Sequence, residues 1–195
     1  MNRRKFIKTA GGILVASFFS PVRPFAWYGP HQITSKSTSA PACSEGSSTV
    51  MCDTVSGETD ITANAIGMSF TLASQEDWWG VELMINAVSD PGTYDFKIGT
   101  DPDLSNAGNV LDTVSGISVS SNVATNYSKV QFTTCLTLPA GTYYIGVVEA
   151  SGGDLDWQRN PTSACADMAG RSGTGWNMSG SNTYDYAWKK IANGS

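Results

Sequence analysis

The chain has 195 residues, with 12 basic and 17 acidic side chains, one histidine and a formal net charge of −5. An acidic surface repels phosphate and anionic headgroups, which argues against nucleic acid as a partner. The length fits one domain behind a short leader, and a composition dense in Gly, Ser and Thr favours strands over helices.

The N-terminus reads Asn2-Arg3-Arg4-Lys5-Phe6-Ile7-Lys8, followed by an apolar run over residues 9–20 and then Arg23 and Ala26. Paired arginines ahead of a short apolar segment spell a twin-arginine export signal over residues 1–26. That segment carries Gly11 and Gly12 and falls short of the roughly 20 residues that span a bilayer. Ala26 is the expected last residue of the signal. Ala40-Pro41-Ala42 before Cys43 imitates a lipoprotein box, but it lies too far downstream of the apolar run. Removing the signal takes away Arg3, Arg4, Lys5, Lys8 and Arg23 and no acidic residue. The exported form then carries a charge of about −10 and is expected in the periplasm, at the cell surface or outside the cell.

Residues 27–59 are rich in Ser, Thr, Pro and Gly and read as a flexible leader with little to fill a core. The four cysteines, Cys43, Cys52, Cys135 and Cys165, form an even set in an exported chain, which favours disulfides. Three pairings are open. The favoured set is Cys43–Cys52, closing a loop in the leader, with Cys135–Cys165 stapling a strand end to a later loop. A zinc site is the rival, but there is no CxxC spacing and His31 lies in the leader.

Downstream, short β-rich runs alternate with turns. Residues 65–72 form one expected strand. Residues 80–88 form another, with Val81, Leu83, Ile85 and Ala87 alternating against Glu82, Met84 and Asn86. Asp90-Pro91-Gly92 turns the chain into residues 93–99, suggesting an antiparallel hairpin. Further strands are expected over 110–119, 128–138, 142–149 and 184–191. Residues 150–180 read mostly as loop, with short strands near Trp157 and Trp176. Some eight strands separated by turns predict an all-β domain over residues 60–195, a two-sheet antiparallel sandwich.

The order of these runs, and the turn Leu138-Pro139-Ala140-Gly141-Thr142-Tyr143-Tyr144, resembles a bacterial jelly-roll module of secreted and cell-surface proteins. It is the module found in choice-of-anchor domain proteins, which share a "Leu-x-Ala-Gly-Thr-x-Tyr" strand end. The resemblance covers roughly residues 64–191 and implies a jelly-roll sandwich whose relatives mostly lack a defined activity. The apolar C-terminal tail of wall-sorted members has no counterpart in Lys189-Lys190-Ile191-Ala192-Asn193-Gly194-Ser195. The resemblance therefore implies a member that is released or held non-covalently.

With His31 outside the expected fold, serine or cysteine nucleophiles have no imidazole base. Carboxylate chemistry has Glu82, Glu149, Asp154, Asp156 and Asp185 as candidates, but nothing in their spacing sets two at catalytic separation. The reading is a non-catalytic recognition module. Trp157 and Trp176 lie among polar residues where an indole face could stack on a sugar, with Asp156, Gln158 and Arg159 as hydrogen-bonding partners. Core packing is the competing reading for those rings. No cofactor is expected beyond a structural Ca²⁺, for which Asp101, Asp103 and Asn106 cluster in one loop without the glutamate that closes a full calcium loop. Expected partners are glycans or envelope proteins, and the alternative function is a structural or adhesive envelope component that binds proteins or itself.

Overall fold

A computed structural model describes residues 43–53, 55–120, 123, 126–160, 165 and 168–194. The export signal, His31 and most of the leader lie outside these described residues. Among them the fold is all-β and antiparallel, with fourteen strands and one single-turn 3-10 helix, Ala107–Asn109. The strands are β1 (Glu45–Cys52), β2 (Gly57–Asp60), β3 (Ile66–Leu72), β4 (Glu76–Leu83), β5 (Ile85–Ala87), β6 (Gly92–Gly99) and β7 (Val110–Val119). They continue with β8 (Ser128–Leu138), β9 (Gly141–Ser151), β10 (Leu155–Asn160), β11 (Met168–Thr174), β12 (Asn177–Ser181), β13 (Asp185–Tyr186) and β14 (Trp188–Asn193).

They make three sheets rather than two. A six-stranded sheet runs β12-β11-β3-β9-β6-β7, a four-stranded sheet runs β1-β14-β4-β8, and a small sheet runs β13-β10-β2 with β5 also on β10. The six- and four-stranded sheets share one aromatic interior. Phe70 of β3 stacks on Trp78 of β4 at 5.3 Å between centroids and lies 5.1 Å from Trp188 of β14, while Phe96 of β6 faces Phe132 of β8 at 6.1 Å. Burial of each such ring supplies roughly 4–6 kcal/mol of transfer free energy before ordering costs. The arrangement is sandwich-like.

The small sheet grows out of the four-stranded one. Trp188 of β14 and Leu83 of β4 are neighbours. Beyond them the two strands part, and β10 lies across the gap, pairing with β5 through residues 155–157 and with β13 through residues 159–160. At the branch, Met84 N–H donates to the Ala187 carbonyl at 3.1 Å, Gln158 N–H to the Met84 carbonyl at 2.9 Å, and Ala187 N–H to the Gln158 carbonyl at 2.9 Å. Three strands thus close their backbone hydrogen bonds around one point, leaving no orphaned groups there.

Several expectations are corrected. The leader expected over 27–59 supplies two strands: β1 pairs with β14 and β2 with β10, so residues 45–60 are part of the sheets. The polar alternation of these edge strands needs no apolar face of its own, because neighbouring strands provide the ladder. Residues 150–180, read mostly as loop, hold β10, β11 and β12. The hairpin expected across Asp90-Pro91-Gly92 does not form; β6 pairs with β7 and β9, and β5 with β10. Both disulfides are present, but joined as Cys43–Cys135 and Cys52–Cys165, spanning 92 and 113 residues. Cys43 and Cys52 flank the extended β1, so they are held apart by a strand and cannot meet.

Candidate functional site

The outer residues of the small sheet form a polar strip. Asp156 of β10 stands opposite Asp60 of β2 on one side and Asn86 of β5 on the other. Two residues on, Gln158 stands opposite Glu58, and Asn160 opposite Asp185. Cross-strand partners share a face and alternate residues take the other. The strip therefore carries Asp60, Glu58, Asn86, Asp156, Gln158, Asn160 and Asp185, while Leu155, Trp157 and Arg159 point away from it.

The side chains of the strip are unevenly bonded. Gln158 Nε2 donates to Asn86 Oδ1 at 2.7 Å and to Glu58 Oε2 at 3.3 Å. Asp154, just before β10, accepts from Ser89 Oγ at 2.9 Å. Asp185 accepts the Cys165 N–H on Oδ2 at 3.0 Å, while its buried Oδ1 has no partner. Asn86, Asp156, Gln158, Asn160 and Asp185 are buried, whereas Glu58 and Asp60 on the edge strand are exposed. The strip is thus reached from solvent along β2.

Its electrostatics follow from four neighbouring carboxylates. Burial, assisted by Glu58, Asp60 and Asp154, pushes the Asp156 carboxyl up to about 6. Burial likewise raises Asp185 above the usual carboxylate range, opposed by the Cys165 N–H. Near pH 6, Asp156 changes from a hydrogen-bond donor to an anion, so the strip can present either to a ligand.

The residues expected to form one ligand site do not converge. Asp156 and Gln158 lie on the strip. Trp157 is fully buried on the opposite face, stacked on Tyr186 at 4.6 Å, with its Nε1 donating to the Ala187 carbonyl at 2.9 Å. Arg159 donates from Nε to the Glu58 carbonyl at 2.7 Å and lies 3.5 Å above the Tyr184 ring. Trp176 belongs elsewhere: it packs against Leu104 and Met178 outside the six-stranded sheet, half-buried, with Lys97 Nζ 4.5 Å from its ring centroid. The stretch read as one loop is a strand, and strand alternation sends adjacent residues to opposite faces. Trp157 therefore offers no free surface for stacking.

The loop of Asp101, Asp103 and Asn106 uses its oxygens internally. Asp101 Oδ1 accepts the Asp103 N–H at 2.9 Å, Asp103 Oδ1 the Ser105 N–H at 3.2 Å, and Asn106 Oδ1 the Gly108 N–H at 3.0 Å. These are turn-forming bonds. Among the described residues no three acidic, His or Cys side chains are arranged to hold a metal ion. Of the carboxylates weighed for catalysis, Glu82 lies in the four-stranded sheet, paired with Lys189 at 3.6 Å, and Glu149 in the six-stranded one.

Sequence reasoning missed Glu58, Asp60 and Asn86 as members of this strip. Asn86 had a signal, since it is a polar residue on a strand whose neighbours are apolar. Glu58 and Asp60 alternate with Gly57 and Thr59, a period too short to stand out in a polar leader. No protein-family model matches this chain, and no curated protein sequence matches it.

Proposed function

We propose that this protein is an exported, non-catalytic recognition domain that binds carbohydrate at the cell surface or outside the cell. One observation carries the reading: the amide and carboxylate strip of Asn86, Asp156, Gln158 and Glu58, open along β2. Planar amides and carboxylates in a row suit the paired donors and acceptors of sugar hydroxyls. Two long-range disulfides fit an oxidising compartment, and the paired arginines of the N-terminus supply the export route. The antiparallel, sandwich-like architecture is compatible with jelly-roll kinship to secreted surface modules. Among the described residues no helix is long and apolar enough to cross a membrane.

The test is titration of the exported form against a glycan panel, with Asn86→Ala and Gln158→Ala checked for folding by circular dichroism. Binding that falls in both folded variants supports the site. Absence of binding across the panel, or affinities unchanged in both variants, rejects it.

A further inference from the structure

We infer that the strip takes a primary ammonium group presented on a glucosamine-type sugar, with Asp156 as its buried anion and Asp60 and Glu58 as outer acceptors. The inference rests on the carbohydrate reading and narrows it to amino sugars. Glu58 and Asp60 on β2 and Asp154 and Asp156 on or beside β10 gather negative charge, and β5 contributes only the neutral Asn86 to this face. None of the four is ion-paired to a Lys or Arg among the described residues. The ion pairs described there, Lys129–Glu45, Lys189–Glu82 and Lys190–Glu76, engage strands of the four-stranded sheet. Arg159, the guanidinium carried by β10, is turned away onto Tyr184.

Asp156 supplies the second, independent observation. It is only 7% exposed, yet its carboxylate accepts no hydrogen bond from any described residue. Asp112, equally buried at 7%, accepts from Thr113 N–H, Thr133 N–H and the Thr133 hydroxyl. A buried carboxylate without donors calls for a cationic donor from outside. The chemistry of that donor is narrowed by geometry. A hard divalent ion needs six to eight oxygens converging at roughly 2.3–2.6 Å, and the described carboxylates do not converge in that way. An ammonium is satisfied by one to three acceptors at ordinary hydrogen-bond distance and is compact enough to reach one strand in from the edge.

The experiment compares calorimetric binding of a glucosamine trimer, its fully N-acetylated counterpart and CaCl₂ at pH 7. The glucosamine trimer is expected to bind about tenfold tighter than the acetylated one, the value of one charge-assisted hydrogen bond. Asp156→Asn, folded by circular dichroism, should erase that preference, and lowering the pH from 7 to 5 should shrink it. Should Asp156→Asn not fold, Asp60→Asn reads the same preference. Equal binding of both trimers overturns the ammonium inference and leaves the carbohydrate reading standing. Failure of both trimers, together with failure of the whole glycan panel, overturns both. Calcium binding that Asp156→Asn abolishes, without preference between the trimers, overturns the inference in favour of a metal ion.

Discussion

Asp112 on β7 accepts both the backbone N–H of Thr133 on β8, at 2.7 Å, and the Thr133 hydroxyl, at 2.6 Å. β7 ends the six-stranded sheet and β8 ends the four-stranded one, so a single carboxylate joins two sheet edges. It also occupies an N–H that would otherwise stand ready to pair with another chain. Asp112→Ala should lower the unfolding free energy by about 2–3 kcal/mol in urea titrations, because the charge-assisted bonds vanish and one N–H loses its partner. Asp112→Asn, which keeps one acceptor oxygen, should lose less. Light scattering should show faster aggregation of the alanine variant near its midpoint.

Trp157 behaves as a core residue in this fold. It is fully buried, stacked on Tyr186 and bonded through Nε1 to the Ala187 carbonyl. Trp157→Ala should cost about 3–5 kcal/mol, enough to unfold a marginal domain. Trp176→Ala, removing a half-buried ring under Lys97, should cost clearly less. Thermal melts of the two variants give the ranking. The opposite ranking would put Trp157 back at a surface.

The strands from 66 to 151 were legible because their apolar residues alternate with period two between Pro/Gly turns, as in Thr93-Tyr94-Asp95-Phe96-Lys97-Ile98. Which strand pairs with which was not, since alternation fixes faces and says nothing about neighbours. β4 and β6 look like a hairpin in sequence, yet β6 pairs with β7 and β9. β1 and β2 were hidden for another reason: they are edge strands with exposed polar residues, and composition alone reads such stretches as leader. The site suffered from the same limit. Asp156 and Gln158 were chosen correctly as members of a polar cluster, but the partners that build the strip, Glu58, Asp60 and Asn86, arrive from β2 and β5 through long-range pairing.

The raised Asp156 carboxyl makes stability pH-dependent. Its ordinary value is 3.8 and burial with its acidic neighbours lifts it to about 6 in the folded chain. The folded state therefore binds more protons than the unfolded state between these values, and stability falls as pH rises through that window. The contribution is fully present below pH 4 and lost above pH 6. Asp156→Asn removes the ionisation, so it should be more stable than the wild type by roughly 2–3 kcal/mol at pH 7.5 and nearly equal to it at pH 4. Chemical denaturation at the two pH values measures this difference directly, and a constant difference would assign no such role to Asp156.

The bridges tie the first described strand to distant parts of the chain. Cys43, ahead of β1, joins Cys135 of β8, and Cys52, at the end of β1, joins Cys165. Peptide mapping without reduction should recover Cys43 linked to Cys135 and Cys52 linked to Cys165, and no peptide linking Cys43 to Cys52. Closing loops of 92 and 113 residues restricts the unfolded chain, by about 4–5 kcal/mol for one bridge alone in the chain-entropy account. The two loops overlap, so the second bridge adds less than the first. Replacing Cys52 and Cys165 together by Ser should lower stability by about 2–5 kcal/mol.

Met178 lies over a slot made by two facing glycines. Gly67 of β3 and Gly146 of β9 are cross-strand partners, and a Cβ on either would approach the Met178 sulfur, at 2.8 Å from Gly67 and 2.6 Å from Gly146. The two positions differ in what else stands there. A Cβ at Gly67 would also come within 2.0 Å of the Ile145 carbonyl oxygen, a backbone atom held by the sheet, whereas at Gly146 the close atoms belong to the methionine side chain. Gly67→Ala must therefore move backbone, and Gly146→Ala need only move Met178, which is itself fully buried. Both should destabilise, by about 1–3 kcal/mol for Gly146→Ala and more for Gly67→Ala. Pairing Gly146→Ala with Met178→Ala should recover part of the loss in a double-mutant cycle, because the shorter side chain clears the added methyl group. Gly67→Ala with Met178→Ala should recover little, since the carbonyl clash remains.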